Sequence, residues 1–285
     1  MWRYIIYYPK KVTAIEVNNL KQYNEKYTEV IDSFVENKVY FRGQSSINWP
    51  IIPSIFRGYW IDHEKDFIEE MIIRNPSDFD TCRATIEKLT KMQHYNAPTR
   101  LLDLTKNRLI ALYFACEKGK TETDKPHGEV VMFSDESSHT YYFDSDTVSM
   151  IANIAMMDPS FEVSTDMGKL SYQIKQDKPN FDGVWEIKYL QKCVIVHVKL
   201  DNKRIMNQQG LFLLVGMGKD RTRPADIDPY FLKDIKKKKV VFIIPNKSKP
   251  KIIAELDKIN INKGFIYPEI DSVAEYLKMN CLNNN

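Results

Sequence analysis

Gln93-His94-Tyr95-Asn96-Ala97-Pro98-Thr99-Arg100-Leu101-Leu102-Asp103-Leu104-Thr105 reads as a helix end, a forced extended entry and a buried strand. Pro98 holds the residue before it in extended backbone. Leu101, Leu102 and Leu104 are apolar enough for a strand inside the fold. Asn107 can then cap a helix from Arg108 to Lys118, whose apolar face carries Leu109, Leu112, Tyr113 and Cys116. Thr99, Arg100, Asp103 and Thr105 interrupt the leucines, so polar groups enter the core and must find partners there. For Arg100 and Asp103 two readings stand together: an internal network that fixes the strand, or chemistry. His94 likewise reads either as a hydrogen-bonded packing residue beside Tyr95 or as a base.

Upstream, residues 17–37 repeat Leu20, Tyr23, Tyr27, Val30, Ile31 and Phe34 at helical spacing. The β-like run Lys38-Val-Tyr-Phe-Arg-Gly-Gln44 follows, and two more helices are expected over 62–75, ended by Pro76, and over 78–94. Downstream, residues 129–133, 193–200, 210–215 and 240–245 read as short strands bounded by turn residues. Residues 134–190 mix Ser, Asp and Met without a clear period. Residues 250–259 and 269–281 read as helices. The expectation is one α+β domain over 1–285, with an N-terminal helix at 17–37, a mixed-sheet core at 38–245 and a C-terminal helical segment at 250–282.

Composition excludes several classes. Of 285 residues, 43% are hydrophobic and 28% charged, so there is material for a sizeable core without staples. Lys and Arg number 41 against 38 Asp and Glu, which leaves no strongly basic coat and no acidic tail. Cys82, Cys116, Cys193 and Cys281 are scattered, with no CxxC and no Cys/His cluster, so no metal is expected and the thiols read as reduced. No apolar run reaches the ~20 residues that span a bilayer. The N-terminus MWRYIIYYPKKV lacks a secretory pattern, and a cytoplasmic chain is expected.

Arg42 lies in Tyr40-Phe41-Arg42-Gly43-Gln44, an apolar run that places a guanidinium beside a glycine. Gly43 permits close approach by a ligand or another backbone, and Gln44 shares the strand face of Arg42. An arginine fork there suits a phosphate or pyrophosphate oxygen, although a lone arginine beside a strand is more often a surface residue or a structural ion pair. In the segment 204–213, Asn207, Gln208, Gln209 and Gly210 precede an apolar strand, as a turn or as hydrogen-bonding groups at a strand entrance. The Lys236–Lys239 run reads as a solvated turn, at most a weak polyanion contact.

Three of these segments together resemble the FRG domain family, named for its Phe-Arg-Gly motif. They are Tyr40–Gln44; Leu89 through Ala115, similar to the family's QHYGxPTRLLDWT and ALYFA block; and Met206–Phe212. Gly264–Ala274 is similar to the family's closing segment, so the likeness runs from about residue 17 to 280. Asn96 stands where the family has glycine, a change that left-handed backbone tolerates. Leu104 replaces a common tryptophan and Arg108 the usual proline.

The order of elements also looks like the ADP-ribosyltransferase fold: a strand with an arginine, a strand with threonines, a helix, and a strand after glutamines. That resemblance implies NAD as substrate, with a protein, RNA or DNA acceptor, as in a toxin or phage-defence effector. It implies catalytic roles for Arg42, His94, Asp103 and Gln209, the last standing where a glutamate belongs, with Gln208 as its alternative. Arg42, Gln44, Tyr95, Thr99, Arg100 and Thr105 would hold the nucleotide. A glutamine there supplies no negative charge to a developing ribosyl cation. The alternatives are therefore a non-catalytic nucleotide or nucleic-acid binding module, with aromatic side chains stacking on bases, and a protein-interaction domain with a structural polar core.

Overall fold

The computed structural model describes residues 12–32, 34, 38–117, 126–134, 141–182 and 186–283. Residues 33 and 35–37 of the expected first helix, and Lys118 of the expected helix after the central strand, lie outside them. The chain is α+β. Among the described residues, eight strands make one mixed sheet: β1 (Val12–Glu16), β2 (Val39–Gln44), β3 (Leu101–Thr105), β4 (Gly128–Ser134), β5 (Tyr141–Tyr142), β6 (Cys193–His197), β7 (Gly210–Val215) and β8 (Lys239–Ile244), in the order β1-β8-β4-β2-β3-β7-β6-β5. The outermost pairs β1–β8 and β5–β6 are parallel, and the inner pairs are antiparallel. Helices along the chain are α1 (Leu20–Ile31), α2 (Glu64–Arg74), α3 (Pro76–Phe79), α4 (Thr85–His94), α5 (Arg108–Cys116), α6 (Asp146–Asn153), α7 (Val163–Asp177), α8 (Ile187–Leu190), α9 (Lys203–Asn207), α10 (Lys249–Asp257), α11 (Lys263–Ile266) and α12 (Ile270–Asn283). No helix among the described residues is long and apolar enough to cross a membrane.

The central join of the sheet decides the architecture. β2 and β3 share a single register pair, Phe41 with Thr105, whereas β2–β4 and β3–β7 pair along their lengths. The sheet is thus two four-stranded halves, β1-β8-β4-β2 and β3-β7-β6-β5, meeting at a narrow seam. Each half has its own helical cover on one face. α1, α5 and α10 pack with Phe41, Val130 and Phe242 on the first half. α2, α4, α6 and α7 pack with Leu101, Val196 and Phe212 on the second. The opposite face is continuous across both halves, where Tyr40, Leu102, Leu104 and Phe133 meet Ile227 and Phe231. Tyr40 of β2 and His197 of β6 bring their rings to 6.3 Å across two intervening strands, so this face is concave.

Local chemistry explains the elements that matter here. Asn107 Oδ1 accepts the Leu109 amide at 2.9 Å and starts α5, as its position in the sequence suggests. α5 then lies flat on the first half because two glycines admit its backbone. A Cβ on Gly43 would stand 1.7 Å from the Ala111 carbonyl oxygen, and one on Gly128 would stand 1.9 Å from that of Ala115. The close approach that Gly43 permits is therefore made by a helix backbone.

Other expectations shift. The single helix read over 78–94 is broken between α3 and α4, because Glu87 turns back to accept the Arg83 amide at 2.7 Å and the Ala84 amide at 3.2 Å, making a fresh helix start. Pro76 does not only stop the preceding helix; it opens α3 from its first turn. Within 134–190, α6 and α7 emerge, together with β5. Residues 204–207, read as a turn, belong to α9, capped by Asn202. Of the Lys236–Lys239 run, residues 236–238 form a turn whose Lys236 and Lys238 amides are both accepted by Asp234 Oδ1, and Lys239 opens β8.

Candidate functional site

Alternation along β2 puts Arg42 on the concave face with Tyr40, and alternation along β3 puts Asp103 on the helical face with Leu101. The two nevertheless meet, because the strands part beyond Phe41–Thr105. Arg42 Nη1 donates to the Asp103 carbonyl oxygen at 2.9 Å and lies 3.4 Å from its Oδ2. A side chain thus replaces the backbone bonds missing from the seam. The Arg42 side chain is 14% exposed and that of Asp103 57%, so the pair runs from the interior to solvent.

Asp103 is held from a second side by α4. Gln93 Nε2 lies 3.1 Å and 3.0 Å from its two carboxylate oxygens. Gln93 Oε1 in turn accepts from the Thr99 hydroxyl at 2.6 Å, and that hydroxyl accepts the Leu101 amide at 3.1 Å. Thr99 is fully buried, so the relay orients the amide of Gln93 and, through it, the carboxylate. The segment after β2 closes over the same place: Ser54 Oγ accepts the Thr99 amide at 3.3 Å, and the Ile55 amide donates to the Thr99 carbonyl at 3.2 Å. Arg57 leaves this segment, donating to the Ile52 carbonyl at 2.8 Å and the Pro50 carbonyl at 3.2 Å. Burial, and next the Arg42 charge, pull its pKa below the usual guanidinium value, while Asp103 acts against them.

The remaining expected residues go elsewhere. Arg100 does not pair with Asp103. Fully buried, it donates through Nε to Glu64 Oε1 at 2.8 Å and through Nη2 to Oε2, while Arg221 reaches the same Glu64 Oε2 at 3.0 Å. The correction has a plain cause: a fully enclosed guanidinium needs a carboxylate in the same enclosure, and Asp103 opens to solvent. Gln44 is buried, and its amide nitrogen serves Glu129 Oε1 at 2.5 Å and the Trp49 carbonyl at 2.9 Å. The Thr105 hydroxyl donates to the Gln208 carbonyl at 2.7 Å and accepts the Asn107 amide at 3.0 Å, tying off the end of β3.

His94 and Tyr95 face a different cavity, of about 380 Å³, between α4 and residues 198–205, whose walls include Thr90, Phe143 and Asn202 but neither Arg42 nor Asp103. There His94 Nε2 stands 3.2 Å from the Asn202 amide nitrogen. Burial, and then the Arg204 charge, keep its pKa below the ordinary imidazole value. The alternative between Gln208 and Gln209 takes a new form, since both precede β7. Gln208 donates to the Ile266 carbonyl at 3.1 Å. Gln209 is exposed, with a φ of 46°, and its carbonyl accepts the Lys106 amide.

The side chains gathered at the seam are therefore those of Arg42, Thr99 and Asp103, while those of His94, Tyr95, Arg100, Gln44, Thr105 and Gln209 are directed elsewhere. Gln93, Arg57, Glu64 and Arg221 were given no role from sequence. For Arg57 a signal was present: the triplet Phe41-Arg42-Gly43 recurs as Phe56-Arg57-Gly58. Burial pushes the thiols of Cys116 and Cys193 up to about 12, and that of Cys82 upward, which leaves these three unsuited to nucleophilic work at neutral pH. Among the described residues, no group of three or more His, Cys, Asp or Glu is placed to hold a metal ion.

In comparison with known families, residues 37–124 fit the family model of the FRG domain. That span contains Arg42, Arg57, Gln93, Thr99 and Asp103, the whole of the seam. No curated protein and no solved structure matches the chain.

Proposed function

Since this chain carries an FRG domain whose polar residues converge where its sheet parts, we propose that the domain binds NAD at the seam and transfers ADP-ribose to a protein or nucleic-acid acceptor. Such chemistry suits a toxin or a phage-defence effector. The observation that carries the reading is the half-exposed carboxylate of Asp103, fixed by Gln93 and flanked by Arg42. The division into two four-stranded halves, with an arginine on one lip and a carboxylate on the other, adds support from the resemblance to the ADP-ribosyltransferase fold.

In this reading Arg42 holds the diphosphate. Its Nε is buried without a hydrogen-bond partner, an orphan donor that an anionic oxygen would satisfy. Asp103 faces the nicotinamide ribose. As the C1′–nitrogen bond breaks, its electron pair leaves with nicotinamide and positive charge grows on the ribose. A preoriented carboxylate stabilises that charge electrostatically. The acceptor's nucleophilic atom then bonds C1′ and its proton passes to water, since His94 lines the other cavity. Asp103 on β3 thus takes the part that the resemblance gives to a later strand, where this chain offers only glutamines.

The test is nicotinamide release from purified protein incubated with NAD, alone and with cell lysate or RNA, against Arg42→Ala verified as folded. Release that needs Arg42 is the expected result. Nucleotide binding without release would leave a binding module and sink the transferase reading.

A further inference from the structure

Two arginines, not one, converge on the seam. Arg42 rises on the concave face of β2, Ile51, Ile52 and Phe56 pack on that same face, and the loop carrying them is tied to Thr99 through Ser54 and Ile55 just before Arg57. Arg57 feels the charges of both Arg42 and Asp103. Two cations therefore share one carboxylate, and that carboxylate is largely turned to solvent. Behind the loop lies a second group of the same sign. Among the described residues, Arg100 and Arg221, both fully buried, are bonded to one carboxylate, that of Glu64, and the Arg100 guanidinium sits 5.7 Å from the centre of the Phe56 ring. Residues 54–57 thus run between two clusters that each carry one positive charge in excess.

Like charges in partly buried surroundings repel, and such an arrangement persists where an anion completes it. The donors for one are ready. Among the described residues, Arg42 uses only Nη1, leaving Nε and Nη2 without partners, and Arg57 uses Nε and Nη2, leaving Nη1. The carbonyls of Pro50 and Ile52 fix the plane of the Arg57 fork, which lowers the entropy lost when an oxygen is bound.

We infer that Arg42 and Arg57 form a paired clamp for the diphosphate of a nucleotide, with Arg57 as the second anion-binding residue of the FRG domain. The inference rests on the seam being a nucleotide site, but not on turnover there. Two phosphoryl groups match two guanidinium forks, while the single opposing carboxylate, Asp103, stays available on the solvent side.

The experiment compares pyrophosphate, ADP and adenosine as ligands of the full chain at physiological salt, by calorimetry and thermal shift. ADP and pyrophosphate should raise Tm while adenosine does not. Arg57→Lys should weaken ADP binding about tenfold or more, the scale of one charge-assisted hydrogen bond. Arg57→Gln, which can keep one carbonyl bond to the loop, should weaken it further with the free protein still folded. ADP binding no tighter than adenosine overturns the clamp without recourse to any variant. So does parental ADP affinity in both Arg57 variants. A single-stranded oligonucleotide that binds more tightly than ADP, with the same dependence on Arg57, reassigns the phosphates to a nucleic-acid backbone and overturns the diphosphate assignment. ADP binding that needs Arg57, in a protein that releases no nicotinamide from NAD, sustains the clamp and rejects only the transferase reading.

Discussion

The carbonyl oxygen of Ala111 lies 1.7 Å from the place a Cβ of residue 43 would occupy, so Gly43 and the middle of α5 are in backbone contact. Nothing flexible separates them, and a methyl group can be accommodated only by lifting the helix from β2. Gly43→Ala should cost more than about 3 kcal/mol, beyond the usual overpacking range, because the clash is with backbone. Urea denaturation measures it. A loss below about 1 kcal/mol would mean that α5 is not seated as described.

Among the described residues, Glu64 is the sole carboxylate bonded to Arg100 and Arg221, and all three side chains are at most 1% exposed. Removing it leaves two enclosed cations without a bonded carboxylate. Glu64→Gln should destabilise the chain by about 3–5 kcal/mol, the cost of breaking a buried pair. Replacing Arg100 by methionine should cost less, because Glu64 and Arg221 then remain as a one-to-one pair and only the hydrogen bonds of Arg100 are lost. Chemical denaturation of both variants tests this. If either loses activity while keeping parental stability, the triad belongs to the site rather than to the core.

Asp103→Asn keeps the shape of the side chain at the seam and removes its charge. Under the transferase reading, nicotinamide release should fall ~10²–10³-fold while ADP affinity holds or improves, because a carboxylate beside the two arginines has been neutralised. Single-turnover assays alongside calorimetry separate the two effects. Equal loss of binding and turnover would assign Asp103 to positioning of Arg42 instead.

Stability should decline as pH falls from 7 toward 5. His94 and His197 both have pKa values below the ordinary 6.5, each by burial first and then by nearby cations, Arg204 for one and Lys106 with Lys38 for the other. The unfolded chain therefore takes up protons that the folded chain refuses. Their contribution is complete above about pH 6.5 and is lost as pH falls through the folded values. Glu117, displaced upward by burial, works in the opposite direction toward the acid end. Denaturation midpoints at half-unit pH steps, with His94→Gln and His197→Gln, should show a shallower slope in each variant. An unchanged slope in both would exclude the imidazoles as its source.

Much of the local structure was legible from short stretches. Pro98 and the leucines around Asp103 mark β3, Asn107 marks the start of α5, and Asn96 takes a φ of 59° where the family pattern has glycine. Each depends on contacts within a few residues. The segment 134–190 was hard to read because its longest helix, α7, turns only the narrow stripe Val163, Met167, Leu170 and Ile174 to the core, and the polar residues between them dilute that period. β5 is two residues long and exists by pairing with β6.

The sequence by itself determined that an arginine, a threonine and an aspartate would enter an apolar region on two strands, with a helix of glycine-shaped seating after them. Which of those polar groups would meet was decided by tertiary structure. Asp103 joins Arg42 because β2 and β3 separate after one pair, and Arg100 turns instead to Glu64, which Arg221 shares and which lies far from it in the chain. The reason is physical. Caps, turns and periodicity are settled by neighbours in sequence, whereas a buried charge is settled by the nearest enclosed counter-charge, and that distance exists only once the sheet has closed around it.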